Sequence, residues 1–279
     1  MNVGRASLAL AALAAVAGAA VVRAQSPARA PAAARRARVV DQCVSCHARL
    51  SYTTGAGHGF AAWKGSPHAA AGVGCEACHG GDPRATDPQQ AHVGVVPSSD
   101  PGSQLYFTRI PDTCGRCHAA EAGYFRTSLH YARLRSDGRG PNCVTCHGSM
   151  ATSVLTPERM LGTCSACHTA GGVAPVGKAR EAARVLALAR AENILFDVVK
   201  AGVTARAGSG AGARARVMVD EADRHLKAAA EVWHSFRLDS VMARLDDARV
   251  NLVGAWVALG HPAPYESQLS RQMGGAARP

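Results

Sequence analysis

Residues 43–47 read CVSCH: two cysteines three positions apart, with a histidine directly behind the second. The pattern returns as CEACH at 75–79, CGRCH at 114–118, CVTCH at 143–147 and CSACH at 164–168. These five pairs use all ten cysteines of the 279-residue chain: Cys43, Cys46, Cys75, Cys78, Cys114, Cys117, Cys143, Cys146, Cys164 and Cys167. Disulfides within such short loops would constrain the unfolded chain weakly. Zinc ribbons use Cys-x-x-Cys in twos to complete a tetrahedral site, and five is odd. Redox pairs of the thioredoxin type occur once, in a strand–helix context that this sequence lacks.

None of those readings needs the histidine. With 12 histidines in 279 residues, chance would place one behind all five pairs about once in ten million sequences. Cys-x-x-Cys-His is instead the attachment signature of c-type haem. Two thiols add across the two vinyl groups on one porphyrin edge, and the short turn between them lets both sulfurs reach. The next residue swings over the ring face, where its imidazole binds iron. Five covalent haem c groups are expected, with His47, His79, His118, His147 and His168 as proximal ligands.

Composition fits that expectation. Aromatic residues make up only 5% of the chain, while hydrophobic residues reach 47%. Five haems supply the large flat apolar bodies that Phe and Trp would otherwise provide. The formal charge is +11. Each oxidised haem brings two propionates and one net positive centre, so the loaded protein is far less basic. Four arginines (Arg29, Arg35, Arg36, Arg38) sit in an Ala/Pro-rich stretch that reads as a solvated tether. No Lys/Arg block interleaved with aromatics is present, so nucleic acid is not an expected partner.

The N-terminus reads as an export signal over 1–24: Arg5, an Ala/Leu/Val stretch from Ala6 to Val22, and small residues before Gln25. A retained membrane anchor, with peripheral membrane association, is the rival, but the stretch is short and weakly apolar for a bilayer span. Periplasmic localisation is expected. The rest divides into a flexible linker (25–41), a five-haem region (42–170), a helical region (171–262) and a flexible tail (263–279). The haem region contains a repeat: motif, aromatic, Ser-x-His, motif-Gly, with the second copy starting 71 residues after the first (Cys43 and Cys114). Its connections are Gly/Pro/Ser-rich and predict little regular structure beyond short helices at the motifs.

From about 178 the pattern turns helical. Residues 178–201 carry no breaker. Ala222, Leu226, Ala229 and Trp233 recur at helical spacing, as do Val241, Leu245, Ala248, Leu252, Ala255, Trp256 and Leu259. Turns are expected at 207–212 and 234–240, with Asp239 or Ser240 as N-cap of the last helix. The fold class is therefore mainly α with extensive loops: a multihaem core plus a C-terminal antiparallel helical hairpin with a third helix.

The stretches "WKGSPHAAAGVGCEACHGGDP" (63–83), "SLHYARLRSDGRGPNCVTCHG" (128–148) and "HSF" (234–236) resemble the periplasmic multihaem cytochromes c. The resemblance is to the group around nitrite reductase, hydroxylamine oxidoreductase and the tetrahaem electron carriers, and covers roughly 42–260. It implies haems packed for electron tunnelling, mostly with histidine on both faces. It also implies redox-protein partners: a quinol-oxidising membrane complex on one side, and other cytochromes or a terminal reductase on the other. Every motif here ends in His, and none in the Lys that marks a nitrite-reducing haem.

Seven histidines lie outside the motifs, and five irons create demand for them as distal ligands. His68 and His130 lead, both in the Ser-x-His element, where the repeat assigns them to equivalent haems, the first and third. His92 follows. On the helices, His234 lies in a turn and is favoured by the resemblance over His225, which borders an apolar face. His58 comes next, and His261 before Pro262 is the expected bystander. Iron with two histidines has no vacant position, so electron transfer is the leading function. A reductase of a small nitrogen or sulfur oxyanion at one open haem is the alternative, and a gas-sensing haem a weaker third.

Overall fold

The computed structural model describes residues 41–51, 53–172 and 175–263, without the side chains of 55–58. The expected export signal, nearly all of the linker and nearly all of the tail lie outside the described residues. Within them the chain forms thirteen α-helices and no strand. Ten are short: α1 (Gln42–His47), α2 (Gly55–Lys64), α3 (Pro67–Ala70), α4 (Glu76–His79), α5 (Pro88–Ala91), α6 (Ile110–Cys114), α7 (Ala119–Arg126), α8 (Leu129–Asp137), α9 (Cys143–His147) and α10 (Pro157–Ser165). Three are long: α11 (Lys178–Ala205), α12 (Gly210–Val232) and α13 (Leu238–Ala258). The mainly helical class expected from sequence is what the chain adopts. The segments between motifs are more helical than their composition suggests, because α2, α7 and α8 form there.

Each motif is one helical turn. The histidine amide bonds to the carbonyl of the first cysteine at 2.8 Å in 75–79, 3.0 Å in 114–118 and 2.9 Å in 164–168. That turn brings both thiols and the imidazole to one side. Polar caps start two of these turns: Asp41 accepts from the Val44 amide at 3.2 Å, and Asn142 accepts from Val144 and Thr145. Gly80 and Gly148 end the second and fourth turns at φ +77° and +78°, a conformation that a Cβ disfavours. The glycine behind CEACH and CVTCH is thus a backbone requirement.

The long helices bury the alanine-rich stripe. Ala215, Ala222, Val241, Ala248, Leu252 and Ala255 are fully buried, and small residues let α12 and α13 approach closely as an antiparallel hairpin. Helix α11 packs on both, and α10 packs on α11. Leu155, Met160, Cys146 and Cys164 join the same core, so the bundle reaches into the last two motifs. Ser209 caps α12, accepting from the Gly212 amide at 3.0 Å. Helix α13 begins at Leu238, behind Arg237, so Asp239 sits in its first turn instead of at the expected cap. There its carboxylate faces the positive end of the helix dipole.

Candidate haem-binding sites

Four motif histidines face a histidine from outside the motifs. Ring centres are 6.1 Å apart for His47 and His92, for His68 and His118, and for His130 and His168, and 6.2 Å apart for His147 and His234. A metal–imidazole bond is about 2 Å and a ring nitrogen lies roughly 1 Å from its ring centre, so imidazoles sharing one metal stand about 6 Å apart. Rings in simple contact would close to about 4 Å. Each gap therefore fits one iron, with two cysteines of the same motif one turn away to hold the porphyrin edge.

The second ring nitrogen supports the same reading. A ligating histidine ordinarily donates its other N–H to a carbonyl or similar acceptor, which fixes ring and tautomer. His92 Nδ1 lies 2.7 Å from Pro88 O, His147 Nδ1 2.9 Å from Ser153 O, and His234 Nδ1 3.1 Å from Ala230 O. His68 Nδ1 lies 3.2 Å from the Thr152 hydroxyl. These contacts leave Nε2 to point into the gap. Burial lowers the pKa of His79, His130 and His234, keeping them in the neutral form that has a lone pair to give.

The pairing departs from the expected one. His68 faces the third motif instead of the first, and His130 the fifth instead of the third. Both reach past the next motif, so the two copies of the repeat still behave alike. The Ser-x-His element explains how. Ser66 and Ser128 are buried N-caps, accepting from the Ala69 and Tyr131 amides at 3.2 and 3.1 Å. Each histidine follows two residues behind its cap, in the first turn of α3 or α8. An N-cap serine followed by a short helix was a readable signal for that role. His234 stands in a 3-10 turn, Trp233–Ser235, after α12 has ended.

Two histidines are engaged elsewhere. His225 lies 3.2 Å from a Glu221 carboxylate oxygen and 3.5 Å from one of Asp247, so it links α12 to α13. His261 stacks on Trp256 at 3.9 Å. His58 falls on α2, and its side chain is outside the described residues. The second motif's His79 borders an open cleft shared with Trp63, Val73, Ser149 and Met150.

Successive motifs also touch in chain order. Gln42 N donates to Pro83 O at 2.8 Å, tying the first motif to the second. Arg116, inside the third motif, donates to Ala77 O inside the second at 2.6 Å. Asn142 Nδ2 donates to Phe107 O at 2.8 Å, and α6, which ends at Cys114, packs on α9, which begins at Cys143, joining third to fourth. Cys146 and Cys164 both pack on the bundle core, and α9 contacts α10, joining fourth to fifth. Burial pushes the thiols of Cys43, Cys75 and Cys146 up to about 11. A folded haem-free chain would keep those thiols protonated and unreactive, which favours attachment before folding.

Residues 15–80 match the family described as cytochrome c554 and c-prime. The match supports a c-type cytochrome. It spans the first two motifs, and at this level it supports haem-based electron transfer in general. No curated protein and no solved structure matches the chain. Among the described residues no helix is long and apolar enough to cross a membrane.

Proposed function

We propose that this chain is an exported, periplasmic electron-transfer protein with five covalent haem c groups, each held between two histidines. The observation that carries the reading is the set of four imidazole pairs, each parted by one metal's width. Bound haem supplies a one-electron couple. The chain's own residues fill both axial positions, leaving no place for substrate. Partners are redox proteins: a quinol-oxidising membrane complex as donor, another cytochrome or a terminal reductase as acceptor.

The second haem completes the set through His58. It is the non-motif histidine left after His68, His92, His130 and His234 take motif partners and His225 and His261 are engaged. Its backbone lies on α2, whose next residue, Gly59, abuts Met150, and whose Trp63 lines the His79 cleft with Met150. The cleft is also what favours a second reading, in which the His79 haem keeps an open face and reduces a small nitrogen or sulfur oxyanion.

Carbon monoxide binding to the reduced protein separates these. The wire reading expects no binding to the native protein and stoichiometric binding at one haem in His58→Ala. One equivalent bound by the native protein would establish the open haem. Intact mass after denaturation should exceed the processed polypeptide by five haem units, and four or fewer would refute the count.

A further inference from the structure

Among the described residues, the buried side-chain nitrogens without a partner are Nδ1 of His130 and Nδ1 of His168. Their rings stand 6.1 Å apart across one gap, that of the fifth motif. Elsewhere the pattern differs. In the fourth pair both imidazoles contact acceptors, Ser153 O for His147, and Ala230 O with Glu231 O for His234. In the first and third pairs the distal ring is partnered, by Pro88 O and the Thr152 hydroxyl.

An accepted Nδ1–H makes the imidazole a stronger donor to its metal, because the acceptor pulls the proton and leaves density on the ring. Stronger donation favours ferric iron and lowers the potential; its absence raises it. Low polarity acts in the same direction, since the ferric form carries one more positive charge than the ferrous form. The His130 ring, with its buried unpartnered nitrogen, meets the apolar Phe236 ring edge to face, centres 4.2 Å apart. The fifth motif also stands last in the order of touching motifs.

Resting on the five-haem, bis-histidine reading above, we infer that the fifth haem is the high-potential end of the wire and its electron exit. Electrons enter from a one-electron protein donor at the first haem. Each step oxidises one ferrous haem and reduces its ferric neighbour, in motif order. At the last step the ferrous fifth haem is oxidised and a one-electron protein acceptor is reduced. His130 and His168 set the direction by lacking what His147 and His234 have.

The test is a spectroscopically monitored redox titration of the loaded protein and two variants. His130→Ala should turn one haem high-spin, and the low-spin step that vanishes should be the one at highest potential. Phe236→Gly keeps both ligands but opens His130 Nδ1 to water, and should shift that same step to lower potential while the others stay. If the step lost with His130→Ala is an intermediate or the lowest one, or if Phe236→Gly leaves the highest step in place, the inference is overturned. If His130→Ala leaves every haem low-spin, the bis-histidine assignment itself has failed, and not the ranking of potentials.

Discussion

The rings of His147 and His234 lie 6.2 Å apart and within 26° of parallel, although one sits in an attachment motif and the other between two long helices. His234 is held from behind by Ala230 O and Glu231 O. On the proposed reading the helical region is therefore tied to the haem region by an axial ligand, in addition to the core that α10 and α11 share. His234→Ala should convert one haem to high-spin and lower the unfolding temperature of the helices. His225→Ala and His261→Ala should leave every haem spectrum unchanged, since their rings contact Glu221 with Asp247, and Trp256. A high-spin haem created by His225→Ala would show that the pairing is wrong.

The four pairs fall into two classes of ring orientation. His47/His92 and His147/His234 are at 33° and 26°, while His68/His118 and His130/His168 are at 60° and 67°. Near-parallel rings act on the same iron d orbital and split it from its partner. Near-perpendicular rings act one on each and leave the two nearly degenerate. Paramagnetic resonance of the oxidised protein should therefore show two rhombic low-spin signals and two highly anisotropic ones from these four haems. His68→Ala should remove an anisotropic signal, and loss of a rhombic one would contradict the assignment.

What could be read in the sequence, and what could not, follows from the range of the interactions. The motifs are local chemistry, and the long helices declare themselves by the spacing of Val241, Leu245, Ala248 and Leu252. The partner of a distal histidine is a long-range fact. His92 reaches back to a motif that precedes it, whereas His68 reaches forward past one. Nothing in the spacing distinguishes these. His225 looked available because it borders an apolar face, but Glu221 one turn earlier and Asp247 on the facing helix engage it. The first-turn position of Asp239 follows from where Arg237 leaves the 3-10 turn, which periodicity does not report.

Burial lowers the pKa of His79, His130 and His234, with the facing or neighbouring imidazoles His47, His168 and His147 adding to the effect. In the unfolded chain these groups take up protons near the ordinary histidine value of about 6.5. Their neutral form is favoured in the fold by burial and, in the loaded protein, by its lone pair being given to iron, so the stability involved is fully present above that value and is lost as pH falls below it. The melting temperature should be flat from pH 8 to 7 and decline on acidification below 6.5. A melting temperature that is unchanged down to pH 5 would contradict the neutral-burial argument.

Phe236 is the one non-glycine residue with positive φ among those described, at +60°, and its ring meets both His130 at 4.2 Å and Phe125 at 6.3 Å. Two effects oppose each other there. The left-handed backbone costs a non-glycine residue about 1–2 kcal/mol, which glycine would recover. Removing a phenylalanine from a packed site costs about 3–5 kcal/mol when burial is complete, and less at a half-buried position such as this one. Edge-to-face contacts add about 0.5–1.5 kcal/mol to that loss. The packing loss exceeds the backbone gain, so Phe236→Gly should destabilise the protein by about 1–2 kcal/mol. Phe236→Asn, which tolerates the left-handed region less well than glycine and packs little better, should cost more than Phe236→Gly. If Phe236→Gly instead raises the melting temperature, backbone strain outweighs the ring contacts with His130 and Phe125.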